Sequence, residues 1–241
     1  MRSTSYCNSL ASIASGFLLC LASAGSAADS YIDRVYHPYV EVLETEIEWR
    51  TSRLDKDTTT GRSASVHKLG MGKSVTERLF LETYVLAEQQ DDRSFAVEGF
   101  EFEAKYQLTE QGEFWADWGA LLEVERETGN NVWEVATALL IEKEFGQTSL
   151  AANIRLIYEF GGGINNEFET QGAVQWRLRG RPLFEPAIEL YAGQNANGIG
   201  PMVGGMVRFN RSKLKYELGT IIGMDRETPD TTWRFMLEYE F

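Results

Sequence analysis

The stretch TTWRFMLEYEF, residues 231–241, alternates without a break. Trp233, Phe235, Leu237, Tyr239 and Phe241 share one face of an extended chain, and Arg234, Met236, Glu238 and Glu240 share the other. Successive strand side chains point to opposite faces, so the spacing predicts a strand with one apolar and one charged side. The same period recurs back through the chain, over 43–49, 79–85, 100–106, 116–124, 133–141, 152–160, 172–178, 184–190, 203–209 and 214–222. A further segment, ASVHKLGMGK at 64–73, alternates weakly, yet antiparallel pairing of its neighbours requires a strand there. With it the count is twelve strands, and the even number suits an up-and-down barrel. Without it, ten strands would leave the N-terminal segment outside the barrel. Phe95 and Val97 are out of phase with Phe100 and Phe102, which predicts a β-bulge near Gly99.

The front of the chain reads differently. Residues 1–27, MRSTSYCNSLASIASGFLLCLASAGSA, carry Arg2, an apolar run and then small residues, the pattern of a secretory signal peptide cut near Ala27. Cys20 follows the bulky Phe17, Leu18 and Leu19, which argues against lipid attachment there. Both cysteines, Cys7 and Cys20, fall in this segment, so the exported chain is held by packing and hydrogen bonding without disulfides. After residue 28 no run is apolar enough for a membrane-spanning helix, which leaves a closed β-barrel as the structure that satisfies every backbone group in lipid.

Length and turns agree with a barrel. Eleven residues at about 3.3 Å each, tilted about 40°, span roughly 28 Å, close to the apolar band of a membrane barrel. Connections at 144–149, 179–184 and 209–213 are short, and those at 54–65, 87–94, 161–168, 193–201 and 224–231 are longer and polar, with 126–131 the tight member of the second set. Aromatic residues collect at strand ends, with Trp133 and Trp233 at starts and Tyr106, Phe145, Phe209, Tyr239 and Phe241 at ends, as in interfacial girdles. The expected architecture is an all-β, transmembrane antiparallel up-and-down barrel over 41–241, preceded by a periplasmic leader over 28–40.

WRFMLEYEF resembles the C-terminal signature of Gram-negative outer-membrane β-barrel proteins. The resemblance implies a place in the bacterial outer membrane among lipid and lipopolysaccharide. It also implies recognition by the barrel-assembly machinery through Trp233, Phe235, Leu237, Tyr239 and Phe241, and closure of the last strand on the first. It indicates a class and no particular family.

The second face of the strands would then line a lumen, with Glu44, Glu46, Glu48, Glu101, Glu103, Lys105, Asp117, Glu123, Glu125, Glu142, Glu144, Arg155, Arg177, Arg179 and Arg208 as candidate wall residues. Net charge is −13 for the whole chain, which argues against nucleic acid as a partner. Residues 41–145 hold 23 acidic and 11 basic side chains and residues 146–241 hold 11 and 10, so a field across the lumen is expected. The most natural role is passage or binding of small polar solutes, with cations favoured in an open pore; self-paired charges could instead zip the lumen shut. Two alternatives stand beside it. One is a structural or host-facing barrel, and the other a lipid-modifying enzyme pairing His67 with Ser65 on one strand face. His37 precedes the first strand, in the tyrosine-rich SYIDRVYHPYVE (30–41), which reads as a leader packed on the barrel rim or as a partial plug. No catalytic motif, metal-ligand spacing or cofactor-binding loop is present, so no cofactor or metal is expected.

Overall fold

The computed structural model describes residues 32–55, 63–90, 94–129, 131–194, 197–226 and 228–241. The signal-peptide reading of 1–27, Cys20 included, and the tips of two loops (56–62 and 91–93) lie outside the described residues. Twelve strands follow one another: β1 Thr45–Asp55, β2 Ala64–Ser74, β3 Leu79–Gln90, β4 Ala96–Gln107, β5 Asp117–Glu127, β6 Val132–Phe145, β7 Thr148–Gly161, β8 Glu167–Leu178, β9 Glu185–Gly193, β10 Gly198–Phe209, β11 Ser212–Gly223 and β12 Thr231–Glu240. Each pairs antiparallel with its neighbours, and β1 pairs with β12 from Glu46 opposite Glu240 to Asp55 opposite Thr231, so the sheet is a closed barrel without an edge.

Burial runs the wrong way for a protein in water. The inward Glu48, Glu142 and Glu189 are 0 % exposed, whereas the outward Leu69, Met71, Trp176 and Ile222 are 55–58 % exposed. A continuous outer band of large apolar side chains requires lipid around it. Exposed rings form two belts at strand ends. Phe95, Tyr158, Phe168 and Trp233 ring one end, with the half-buried Trp133 among them, and Tyr106, Phe145, Phe184, Phe209, Tyr239 and Phe241 the other.

The first belt lies at the end bearing connections 56–63, 91–95, 128–131, 162–166, 194–197 and 224–230, here termed the loop end. The second lies at the turn end, with 75–78, 108–116, 146–147, 179–184 and 210–211. Gly146 (φ 63°) and Asn210 (φ 56°) supply the left-handed backbone of the two tightest hairpins. The segment 108–116 departs from the short-turn expectation; it is folded on itself by Gly112 N–H donating to Asp117 Oδ1 (2.6 Å) and the Arg78–Glu110 ion pair (2.6 Å).

The weak second strand is real, and its weakness has a cause. Its inward positions include Gly70 and Gly72, where a β-carbon would lie 2.3 Å from the Tyr84 ring and 2.4 Å from the Phe80 ring. β3 lays two aromatic rings across β2, and glycine is the residue that leaves room for them. The expected bulge is also present: the β3–β4 register shifts between Leu86 and Ala87, which pair with Gly99 and Val97 and leave Glu98 over. Two boundaries need correction. The barrel wall begins at Thr45 rather than 41, because Leu43 takes a left-handed turn (φ 65°), and the leader is not outside the barrel.

Candidate functional site in the barrel lumen

From Ile32 to about Val40 the leader runs inside the lumen toward the turn end, the course of the partial plug rather than the rim or periplasmic path that was the other expectation. A closed sheet offers no edge for a thirteenth strand, so the backbone inside it must find side-chain partners. Asn153 and Gln107 provide them. Tyr36 N–H donates to Asn153 Oδ1 (2.7 Å) while Asn153 Nδ2 donates to Tyr36 O (2.9 Å), and Val40 N–H donates to Gln107 Oε1 (2.8 Å). Apolar contacts add to this. Ile32 and Val35 pack with Ala151, Tyr191 and Ile221, and Tyr36 packs with Leu121, Ala138 and Leu140.

Charged and phenolic side chains complete the attachment. Arg34 pairs with Glu48 (2.6 Å), His37 Nδ1 with Glu142 (2.6 Å), and Asp33 with Arg50 (2.8 Å) and Lys68 (3.4 Å). The hydroxyls of Tyr36 and Tyr39 donate to Glu103 and Asp117, each at 2.8 Å. Pro38 lies flat on β5, where a β-carbon at Gly119 would sit 2.9 Å from its Cα and Cβ.

The candidate wall residues are all traceable. Glu48 and Glu103 share Arg50, whose Nε is 2.5 Å from Glu48 and whose Nη2 is 3.1 Å from Glu103. Glu101 pairs with Lys68 (2.8 Å), Glu123 with Arg155 (2.8 Å), and Arg155 reaches Glu134 at 3.4 Å. Arg177 joins Glu217 (2.5 Å), and Arg179 joins Glu142 (3.3 Å) and Glu144 (2.6 Å). Lys105 lies over the Phe80 ring at 5.2 Å, Glu44 is 3.7 Å from Lys215, and Glu125 is half-buried at the loop end. Arg208 is exposed at the turn end. Glu46 is 5 % exposed and lacks an ion pair among the described residues.

Several central residues were not singled out from sequence. Arg50, Lys68 and Arg234 are in phase with the charged face, but nothing in their own strands marks which carboxylates of distant strands they meet. Arg234 pairs with Glu189 (2.7 Å) and donates to the Tyr191 hydroxyl; Arg50 also lies 4.5 Å over the Tyr84 ring. The expected field across the barrel is therefore broken up. Arg50 and Lys68 sit among the carboxylates of the first six strands, and Glu189, Glu217 and Glu238 neutralise cations of the last six.

Among the described residues, two polar cavities flank the leader in the lumen. One, about 420 Å³, opens at the turn end between the leader residues Arg34, Tyr36, His37 and Tyr39 and a wall of both signs that includes Glu46, Glu82, Lys105, Arg177 and Lys215. The other, about 240 Å³, lies at the loop end above Asp33 and is strongly acidic, with Glu88, Glu98, Glu125, Glu127, Glu134 and Glu159 against Lys68 and Arg155. Its wall carries directly opposed carboxylates, Glu101, Glu125, Glu134 and Glu159, and the ladder continues beyond the cavity to Glu167 on a fifth strand. Like charges placed opposite one another across strands are unfavourable, so the ladder is a standing attraction for cations.

The Ser65 and His67 pair is not assembled as a nucleophile and base. Both lie on the outer face of β2, where His67 packs between Trp49 (6.5 Å) and Phe95 (5.7 Å) and Ser65 Oγ accepts from Arg53 (3.2 Å).

The fold is similar to that of the COG4313 outer membrane channel from Pseudomonas putida F1, with TM-score 0.59, 15 % identity, and 87 % of this chain and 99 % of that chain covered. It is also similar to the KdgM porin in complex with disordered oligogalacturonate, with TM-score 0.55, 13 % identity, and 81 % and 99 % covered. The KdgM porin described without that ligand has TM-score 0.52 and 14 % identity over the same shares. No protein-family model matches the chain, and no curated protein matches its sequence. The chain is a closed twelve-stranded β-barrel with the fold of outer-membrane channels.

Proposed function

We propose that this barrel is a porin-like channel for small polar solutes, that it favours cations, and that its own N-terminal segment closes it at mid-lumen in the state described. The observation that carries the reading is the leader between two polar cavities, with the acidic one facing the loop end. By the rule that short turns face the periplasm, that cavity is the outer vestibule. A vestibule walled by carboxylates raises the local cation concentration and repels anions. Oligogalacturonate, the ligand of the KdgM complex, is a chain of acidic sugars, and the glutamate ladder speaks against such a polyanion here.

Planar-bilayer recording of the refolded protein under a KCl gradient tests the proposal. The expected result is discrete steps with a reversal potential on the potassium side. Replacing Glu134, Glu159 and Glu167 with glutamine should move that potential toward zero. Equal permeabilities in a conducting barrel sink the cation preference. Silence from both the intact barrel and one lacking the leader sinks the channel and leaves a structural role.

Gly119 offers a subtler test of closure. Gly119→Leu places a side chain where Pro38 now lies, so the leader should be displaced with the wall intact. The expected outcome is higher conductance together with cleavage of the leader by added protease; unchanged values of both would show that the leader bends past the new side chain.

A further inference from the structure

The seam where the barrel closes carries a charge arrangement that the channel reading does not use. Glu46 on β1 stands directly opposite Glu240 on β12, and Glu48 directly opposite Glu238. Glu44, Glu46, Glu238 and Glu240 each direct a carboxylate oxygen into one space, all within 4.8 Å of one another. Glu82 on β3 is in register with the same row across Gly72, over which the Phe80 ring lies.

Two lysines serve part of this cluster. Lys215 bonds Glu238 (2.8 Å) and Glu240 and lies 3.7 Å from Glu44; Lys213 bonds Glu240 (2.7 Å) and Glu41. Glu46 is left out. It is 5 % exposed, neither hydrogen-bonded nor ion-paired among the described residues, and the charges that act on it most strongly are four other carboxylates, of Glu238, Glu82, Glu44 and Glu48. A buried carboxylate in such company requires a counter-ion or a proton. The turn-end cavity, lined by Glu44, Glu46 and Glu238, gives a hydrated ion a route to it.

We propose that Glu44, Glu46, Glu238 and Glu240 form a binding site for a hard divalent cation, calcium, that ties the first strand to the last from inside the barrel. Four carboxylates supply enough oxygens for the six to eight ligands calcium takes, and their mixed placement on strand and turn suits its flexible geometry better than the strict octahedron of magnesium. The site bears on closure of the barrel and is independent of whether the lumen conducts.

The test uses the full mature protein, refolded in detergent free of lipopolysaccharide and stripped with chelator, with calcium chloride as the probe. Calcium should raise the thermal unfolding midpoint saturably, with half-effect at about 0.1–1 mM, the range of extracellular calcium modules. Glu46→Gln should abolish that rise while folding normally, since it removes an uncompensated buried charge. Glu44→Gln, at the half-buried edge, should weaken it by about tenfold or more. The rise should persist when Glu134, Glu159 and Glu167 are glutamine. No rise in the wild type means that Glu46 holds a proton and overturns the proposal. A rise that survives Glu46→Gln overturns it as well; if it disappears with the outer glutamates, the ion binds the vestibule.

Discussion

Deleting residues 28–40 should raise the single-channel conductance of the refolded barrel several-fold. The leader fills mid-lumen between the two cavities, so its removal joins them into one water-filled path. The wall should survive the deletion, because its hydrogen-bond ladders are complete from β1 to β12 without the leader. The partners left behind are mostly provided for. Glu48 keeps Arg50, Glu142 keeps Arg179, and Asp117 keeps the Gly112 N–H. Asn153 and Gln107 would exchange backbone groups for water. Planar-bilayer recording of intact and shortened barrels is the measurement. Equal conductance in a folded protein would mean that the paired wall charges, rather than the leader, set the resistance.

Replacing Arg50 with methionine should lower the stability of the folded barrel by about 3–5 kcal/mol, the usual cost of stripping a buried ion pair of one partner. Arg50 is 3 % exposed and serves three carboxylates at once, those of Asp33, Glu48 and Glu103, besides accepting the rings of Tyr84 and Tyr36 against its guanidinium. Methionine keeps the stem and removes the charge. The measurement is the urea midpoint of reversible unfolding in detergent or thin bilayers. Adding Glu103→Gln to the variant should recover part of the loss, since one orphaned charge disappears with it. A loss below about 1 kcal/mol, the scale of an exposed pair, would show that water or Lys68 takes over the role of Arg50.

The leader and β2 show why legibility was uneven. In β2 the apolar outward positions Leu69 and Met71 kept their period, but the inward Gly70 and Gly72 carried no polarity to alternate with. The missing signal lay in Phe80 and Tyr84 of the next strand, which occupy the space above the glycines. The bulge at Glu98 was legible because one extra residue inverts the faces of everything beyond it, and Phe95 and Val97 registered the inversion. The leader was ambiguous for the opposite reason. Its tyrosines suit an interface as well as a lumen, and the amides that hold its backbone, Asn153 and Gln107, look like any polar residue on a wet wall. His67 stood as a catalytic alternative because proximity along the chain says nothing of a base's partners; its ring lies outside, against Trp49 and Phe95.

A strand's faces are decided locally, by a period of two and by whether each face meets water or lipid. The sequence by itself therefore determined eleven of the twelve strands, the outward apolar band with its aromatic ends, and the inward charge, while β2 was settled by its place between β1 and β3. Pairing inside the lumen is decided between residues far apart in the chain, by which side chains the closed circle brings within reach. Tertiary structure alone thus placed Arg50 between Glu48 and Glu103, seated the leader on Asn153 and Gln107, and left Glu46 at the seam among carboxylates without a cation of its own.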